Sequence, residues 1–125
     1  MICITFTFVH LIIMQRTYLG EFEELVLLIV AVLNGEAYGV GVMEEFENQT
    51  GRSVNISAIH AALRRLESKG FVGSRWSEAT KQRGGRRKRM FTVSQSGIHA
   101  LSQVKDTRNK LWGQIPGMAG NVSFS

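Results

Sequence analysis

The sequence predicts a mainly α fold that carries one small β-hairpin, and three observations predict it. Before residue 70, apolar residues recur at helical spacing in three segments, each closed by Asn or Gly. From Phe71 the period changes: Phe71 to Trp76 and Arg89 to Val93 alternate as strands around a basic, Gly-containing loop, and a last helical stretch follows. Charge is also partitioned, with seven Glu and no Lys or Arg in residues 20 to 50, and eleven Lys/Arg against Glu67 and Glu78 in residues 52 to 89. Helix, strand, Gly/Arg-rich loop and strand are what a winged helix-turn-helix needs from its second half. The expected architecture is therefore a winged helix-turn-helix plus one C-terminal helix, with more apolar helix surface than one small domain covers, so a dimer is expected.

A chain of 125 residues with 44% hydrophobic residues makes one domain with a modest core. The expected organisation is an apolar extension over 1–16, the winged helix-turn-helix over 17–93, a dimerisation helix over 94–115 and a flexible tail over 116–125. The formal charge of +5 matters less than its segregation into +9 and −7 blocks, since a one-sided positive field favours a polyanion. Nucleic acid leads on that ground, with an anionic membrane surface behind it. The single Cys3 excludes an intramolecular disulfide and a thiolate metal cluster, which fits a reducing cytoplasm. His10, His60 and His99 match no metal-ligand spacing, so neither a metal nor a cofactor is expected. An enzyme is not expected either, because the chain lacks a convincing carboxylate pair, a nucleophile with its base and a cofactor loop. Gly39-Val40-Gly41 has no preceding strand in the pattern and no third glycine at the required place.

Residues 1 to 14, MICITFTFVHLIIM, are too short to cross a membrane and lack the positive start and cleavage site of a signal peptide. They read as a flexible or edge-pairing extension, and Met14 is an alternative start. Leu19 to Asn34 reads as the first helix, with Glu21, Glu23 and Glu24 near the positive end of its dipole and Asn34-Gly35 as its stop. Its apolar run from Leu25 to Leu33 has no polar face, so it is covered either by its own domain or, with Phe22 and Leu25, partly by a second subunit. Tyr38-Gly39 opens a second helix with Val42, Met43 and Phe46 inward, Glu44, Glu45 and Glu47 in solvent, and Thr50-Gly51 at its end.

Asn55 or Ser57 caps the third helix, which Gly70 ends. At 100° per residue Ile59, Ala62, Leu63 and Leu66 share one face; Ser57, Ala61, Arg64 and Ser68 lie opposite, flanked by His60 and Arg65. Small, polar and basic residues on the outer face suit a helix that enters a major groove, where Arg bonds guanine edges or holds phosphate, so Asn55, Ser57, His60, Arg64 and Arg65 are its candidate DNA contacts. The loop after Trp76 gathers Lys81, Arg83, Arg86, Arg87 and Lys88 around Gly84-Gly85, and charge crowded at a hairpin tip repels itself unless a polyanion relieves it. Ser94 or Ser96 starts the last helix. Ile98, Leu101, Val104, Leu111 and Ile115 come close to a seven-residue pattern on it, with Trp112 alongside, and a dimerising role fits that stripe.

LGEFEELVLL, EAYGVGVMEEFENQTGR, AALRRLESKGFV and RGGRRKRMFTVSQSG together resemble the PadR family of bacterial transcriptional regulators, over about Leu19 to Trp112. The resemblance implies a winged-helix dimer that binds double-stranded operator DNA, commonly as a repressor, with the third helix in the major groove and the wing on the backbone or minor groove. It implies Asn55, Ser57, His60 and Arg64 as groove contacts, and Arg83, Arg86, Arg87 and Lys88 as wing contacts. The family often has Gly where Ser57 stands and Tyr where His60 stands; a His60 that bonds a phosphate or a base edge instead makes binding pH-sensitive. The expectation is a homodimeric, sequence-specific regulator in the bacterial cytoplasm, associated with the nucleoid and not with a membrane. An unidentified small-molecule effector remains a further partner, for which no stretch of sequence locates a pocket. The alternative is a winged-helix module that binds protein rather than specific DNA.

Overall fold

The computed structural model describes residues 18–77 and 88–117. The apolar extension over 1–16, the wing-tip residues Lys81, Arg83, Arg86 and Arg87, and the tail from 118 onward lie outside them. Along the chain run α1 (Glu21–Leu33), β1 (Ala37–Tyr38), α2 (Gly39–Thr50), α3 (Ile56–Ser68), β2 (Val72–Trp76), β3 (Arg89–Val93) and α4 (Gln95–Gln114). The three strands form one antiparallel sheet in the order β1-β3-β2. This is a winged helix-turn-helix with one helix after the wing.

The apolar run of α1 makes it the central helix. Val26, Leu27, Ile29 and Val30 are buried, and α2, α3, β3 and α4 all pack around them. Leu28 and Val32 lie on its outer side, in solvent. Phe22 sits edge-on to Phe46 of α2 with ring centroids 5.2 Å apart, and both Phe22 and Leu25 pack on the core of their own domain. Gly20 is extended and caps α1, so the helix begins two residues after the predicted Leu19.

Two local corrections follow from pairings that periodicity does not show. Tyr38 is the N-cap of α2, whose first residue is Gly39, but it also ends an unpredicted strand, β1: Ala37 pairs with Phe91 and Tyr38 with Met90. A two-residue strand is too short to alternate, and only its partner β3 makes it a strand. Glu47, expected in solvent, is half-buried and accepts a hydrogen bond from the Val54 N–H at 3.1 Å, which fixes the turn into α3.

In α3 the predicted inner face is the observed one: Ile59, Ala62, Leu63 and Leu66 are fully buried. Asn55 is the N-cap, its Oδ1 accepting from the Ala58 N–H at 2.8 Å. At the other end the Phe71 N–H bonds Leu66 O at 2.9 Å and the Gly70 N–H bonds Glu67 O at 3.0 Å, a Schellman closure that requires the φ of +79° at Gly70. Phe71 and Leu66 are both buried, so this closure also turns the chain directly into β2. β2 and β3 pair from Val72↔Val93 to Trp76↔Arg89. Ser94 caps α4, accepting from the Gly97 N–H at 3.0 Å while its own hydroxyl donates to Gly70 O at 2.6 Å. Ala100, Leu101 and Val104 pack on the core, whereas every residue from Lys105 to Gly117 is exposed.

Candidate nucleic-acid interface

With its apolar face buried, α3 turns Ser57, His60, Arg64, Arg65 and Ser68 outward. The base of the wing stands beside this face, and what holds it there is Glu67 on the flank of α3. One oxygen of Glu67 accepts from Arg89 Nη2 at 2.7 Å and the other accepts from Ser74 Oγ at 2.6 Å, while Arg89 Nε donates to Ser74 Oγ at 2.8 Å. One residue from each wing strand is thus fixed to one turn of the outward helix. The pairing continues one step past the strands, since the Ser77 N–H bonds Lys88 O at 2.7 Å.

Between α3, the start of α2 and the wing base lies an open cleft of about 590 Å³. His60, Arg64, Trp76 and Lys88 border it, with Tyr38 on the β1 side. His60 lies directly over the backbone of Gly39, so close that a Cβ there would stand 2.5 Å from Nε2. Cations and aromatic rings are interleaved around the cleft: Lys88 Nζ is 5.8 Å from the Tyr38 ring and the Arg89 guanidinium 5.9 Å from the Trp76 ring. Among the described residues Arg64 makes no ion pair. Positive charge, a helix face of small residues and exposed ring surface are the chemistry that meets a sugar-phosphate chain and base edges.

The structure therefore gathers Ser57, His60, Arg64 and Lys88 on one side of the molecule. Asn55 lies at the start of the same helix, but its side-chain oxygen is occupied by the cap, which leaves its amide NH₂ as the group that faces out. Arg65 differs from the others: its Nε lies 3.5 Å from Glu23 Oε1 on α1. Of the residues named for dimerisation, Phe22, Leu25, Leu101 and Val104 are partly buried in their own domain, and Leu111 and Trp112 are each 57% exposed. Sequence reasoning gave no site role to Trp76, Tyr38, Lys69 or Glu23. Strand alternation places Trp76 on the face of the buried Val72, and the only hint of its exposure is its place at the strand end. No cluster of three His, Cys, Asp or Glu side chains able to hold a metal occurs among the described residues, nor is any helix there long and apolar enough to cross a membrane.

Comparison with known proteins agrees with this fold. The family model described as "Transcriptional regulator PadR-like family" matches residues 27–103. A PadR-like transcription factor from Bacteroides fragilis superposes with a TM-score of 0.65 at 19% identity, over 85% of this chain and 94% of that one. A PadR family transcriptional regulator from Eggerthella lenta gives 0.57 at 20% identity, over 89% and 90% of the two chains. The PadR of Bacillus subtilis, solved in complex with operator DNA, gives 0.57 at 23% identity, over 67% of this chain but only 46% of its own. No curated protein matches the chain in sequence.

Proposed function

The chain belongs to the PadR-like family of transcriptional regulators, and from that membership we propose that it is a sequence-specific DNA-binding protein that represses transcription by occupying its operator as a homodimer. The observation that carries this reading is the outward face of α3, where small residues and Arg64 stand beside Lys88 at the wing base around one cleft. In it α3 enters the major groove. Arg64 reads a guanine edge, and Ser57, His60 and the amide of Asn55 contact bases or the flanking phosphates. Lys81, Arg83, Arg86, Arg87 and Lys88 hold the backbone from the wing, with no catalytic step. The Bacillus subtilis relative solved with operator DNA supports the partner class.

A second copy covers the exposed end of α4. Leu111, Trp112 and Ile115 stay in solvent beyond the part of the helix that packs on the domain, and the two-fold axis they create makes the operator an inverted repeat. The protein works in the bacterial cytoplasm on nucleoid DNA, with a small-molecule effector of unidentified chemistry as a further partner.

Selection of bound duplexes from a random pool at physiological salt tests the reading. An enriched inverted repeat is the expected result. If no site is enriched and affinity for duplex DNA matches that of a basic peptide, the reading fails and a protein-binding winged helix takes its place.

A further inference from the structure

We propose that Glu23 determines specificity: by holding Lys69 and Arg65 in ion pairs, it withdraws two cations from the surface that grips phosphate and leaves α3 to read bases. The inference rests on the DNA-binding reading above. Glu23 is the one buried charged residue among those described, at 8% exposure. Lys69 Nζ lies 2.9 Å from both of its oxygens and also donates to Tyr18 O at 2.6 Å, so that ammonium is fully engaged. Arg65 Nε lies 3.5 Å from Oε1, with the rest of its side chain half exposed.

Attraction to the helix dipole does not account for this placement. Glu21 and Glu24 occupy the same first turn, and they pair with Arg52 in the connection before α3 and with Arg108 on α4. Glu23 alone reaches the recognition helix. The two cations it holds are not remote from the reading face, because Arg65 and Lys69 line a groove with Ala61, Arg64 and Ser68 directly alongside it.

Affinity for arbitrary DNA is almost entirely the electrostatics of phosphate neutralisation, whereas affinity for the right site adds base contacts. Engaging both cations with one carboxylate, which cancels one of their two charges and ties up the donors of the other, therefore lowers background binding, while the base contacts of Arg64 and its neighbours remain. Removal of the Glu23 charge reverses that.

The full chain is compared with Glu23→Gln, Glu23→Asp, Glu23→Gln/Arg65→Gln and Arg65→Gln, on the selected duplex and a scrambled one of equal length, between about 50 and about 200 mM salt. For Glu23→Gln the slope of log affinity against log salt on the scrambled duplex steepens by about 0.9 for each cation released to phosphate, up to about 1.8. Its affinity for that duplex rises by roughly tenfold per released cation near 0.1 M salt, and preference for the selected duplex falls. Glu23→Asp restores preference, and adding Arg65→Gln takes back about half of the extra slope. Arg65→Gln alone leaves the scrambled slope where it was, a measurement that does not depend on whether Glu23→Gln folds. An unchanged slope in a folded Glu23→Gln, equal weakening on both duplexes, or a loss of about 0.9 in slope from Arg65→Gln alone overturns the inference. A parent chain that does not distinguish the two duplexes overturns the DNA-binding reading itself.

Discussion

Gly97 lies where the first turn of α4 meets Phe71, just before β2, and Val93 at the end of β3, and the space for a side chain there is already taken. A Cβ would run into the backbone carbonyl of Phe71 and stand 2.8 Å from Val93 Cγ1. The Phe71 carbonyl accepts from the Ser94 N–H at 2.9 Å and cannot move freely. Gly97→Ala is therefore expected to cost about 2 to 3 kcal/mol by overpacking, read as a lower denaturant midpoint with an unchanged m-value. Gly39 offers a contrast, because what its Cβ would meet is the His60 imidazole, the end of a side chain that can swing away. Gly39→Ala should leave stability within about 1 kcal/mol while moving His60. On the DNA-binding reading it then alters which bases are enriched near that residue, and an enriched site identical to that of the parent would remove His60 from the reading set. Asn55→Ala removes the α3 cap, with an expected loss of about 1 kcal/mol in the same denaturation experiment.

At the scale of elements, α3 is held from three sides: by its apolar face on α1 and α2, by Glu23 from α1, and by the Glu67, Ser74 and Arg89 network from the wing. These holds differ in kind. Leu63 is fully buried, so Leu63→Ala should cost about 2 to 5 kcal/mol. The Glu67–Arg89 pair is about a third exposed, and Glu67→Gln should cost only about 1 kcal/mol after screening. Its larger effect is geometric, since among the described residues Glu67 is the one α3 side chain bonded to both wing strands. We expect Glu67→Gln to weaken binding to the selected duplex more than to a scrambled one, because both helix and wing must reach the same site. Equal weakening in fluorescence-anisotropy titrations would show that the wing base needs no such tie.

The whole molecule is divided lengthwise. Up to Val104 the chain closes on itself around α1, and beyond Arg108, bonded to Glu24 at 2.9 Å, α4 carries Leu111 and Trp112 into solvent. On the proposed dimeric reading a second copy covers these large apolar side chains. Leu111→Glu with Trp112→Glu should convert a dimer to a monomer in sedimentation velocity. It should also weaken operator binding by far more than loss of two distant side chains explains, since both half-sites must be held at once. A parent chain that sediments as a monomer at all concentrations sinks this expectation.

Sequence periodicity by itself determined the helices, the wing strands and the inner face of α3, because burial of Ile59, Ala62, Leu63 and Leu66 follows from a 3.6-residue repeat that any partner surface would select. It also determined the basic character of the segment from Arg52 to Arg89 and the outward place of Ser57 and Arg64. Tertiary structure alone decided β1, since two residues have no repeat to display. It alone decided the fates of individual charges as well. Arg64 and Arg65 are neighbours of the same type on the same helix, yet only Arg65 has a carboxylate from α1 beside it, and no local pattern reports a partner 42 positions away. The first-turn glutamates read equally well as dipole partners; which of them reaches α3 is set by how α1 crosses that helix.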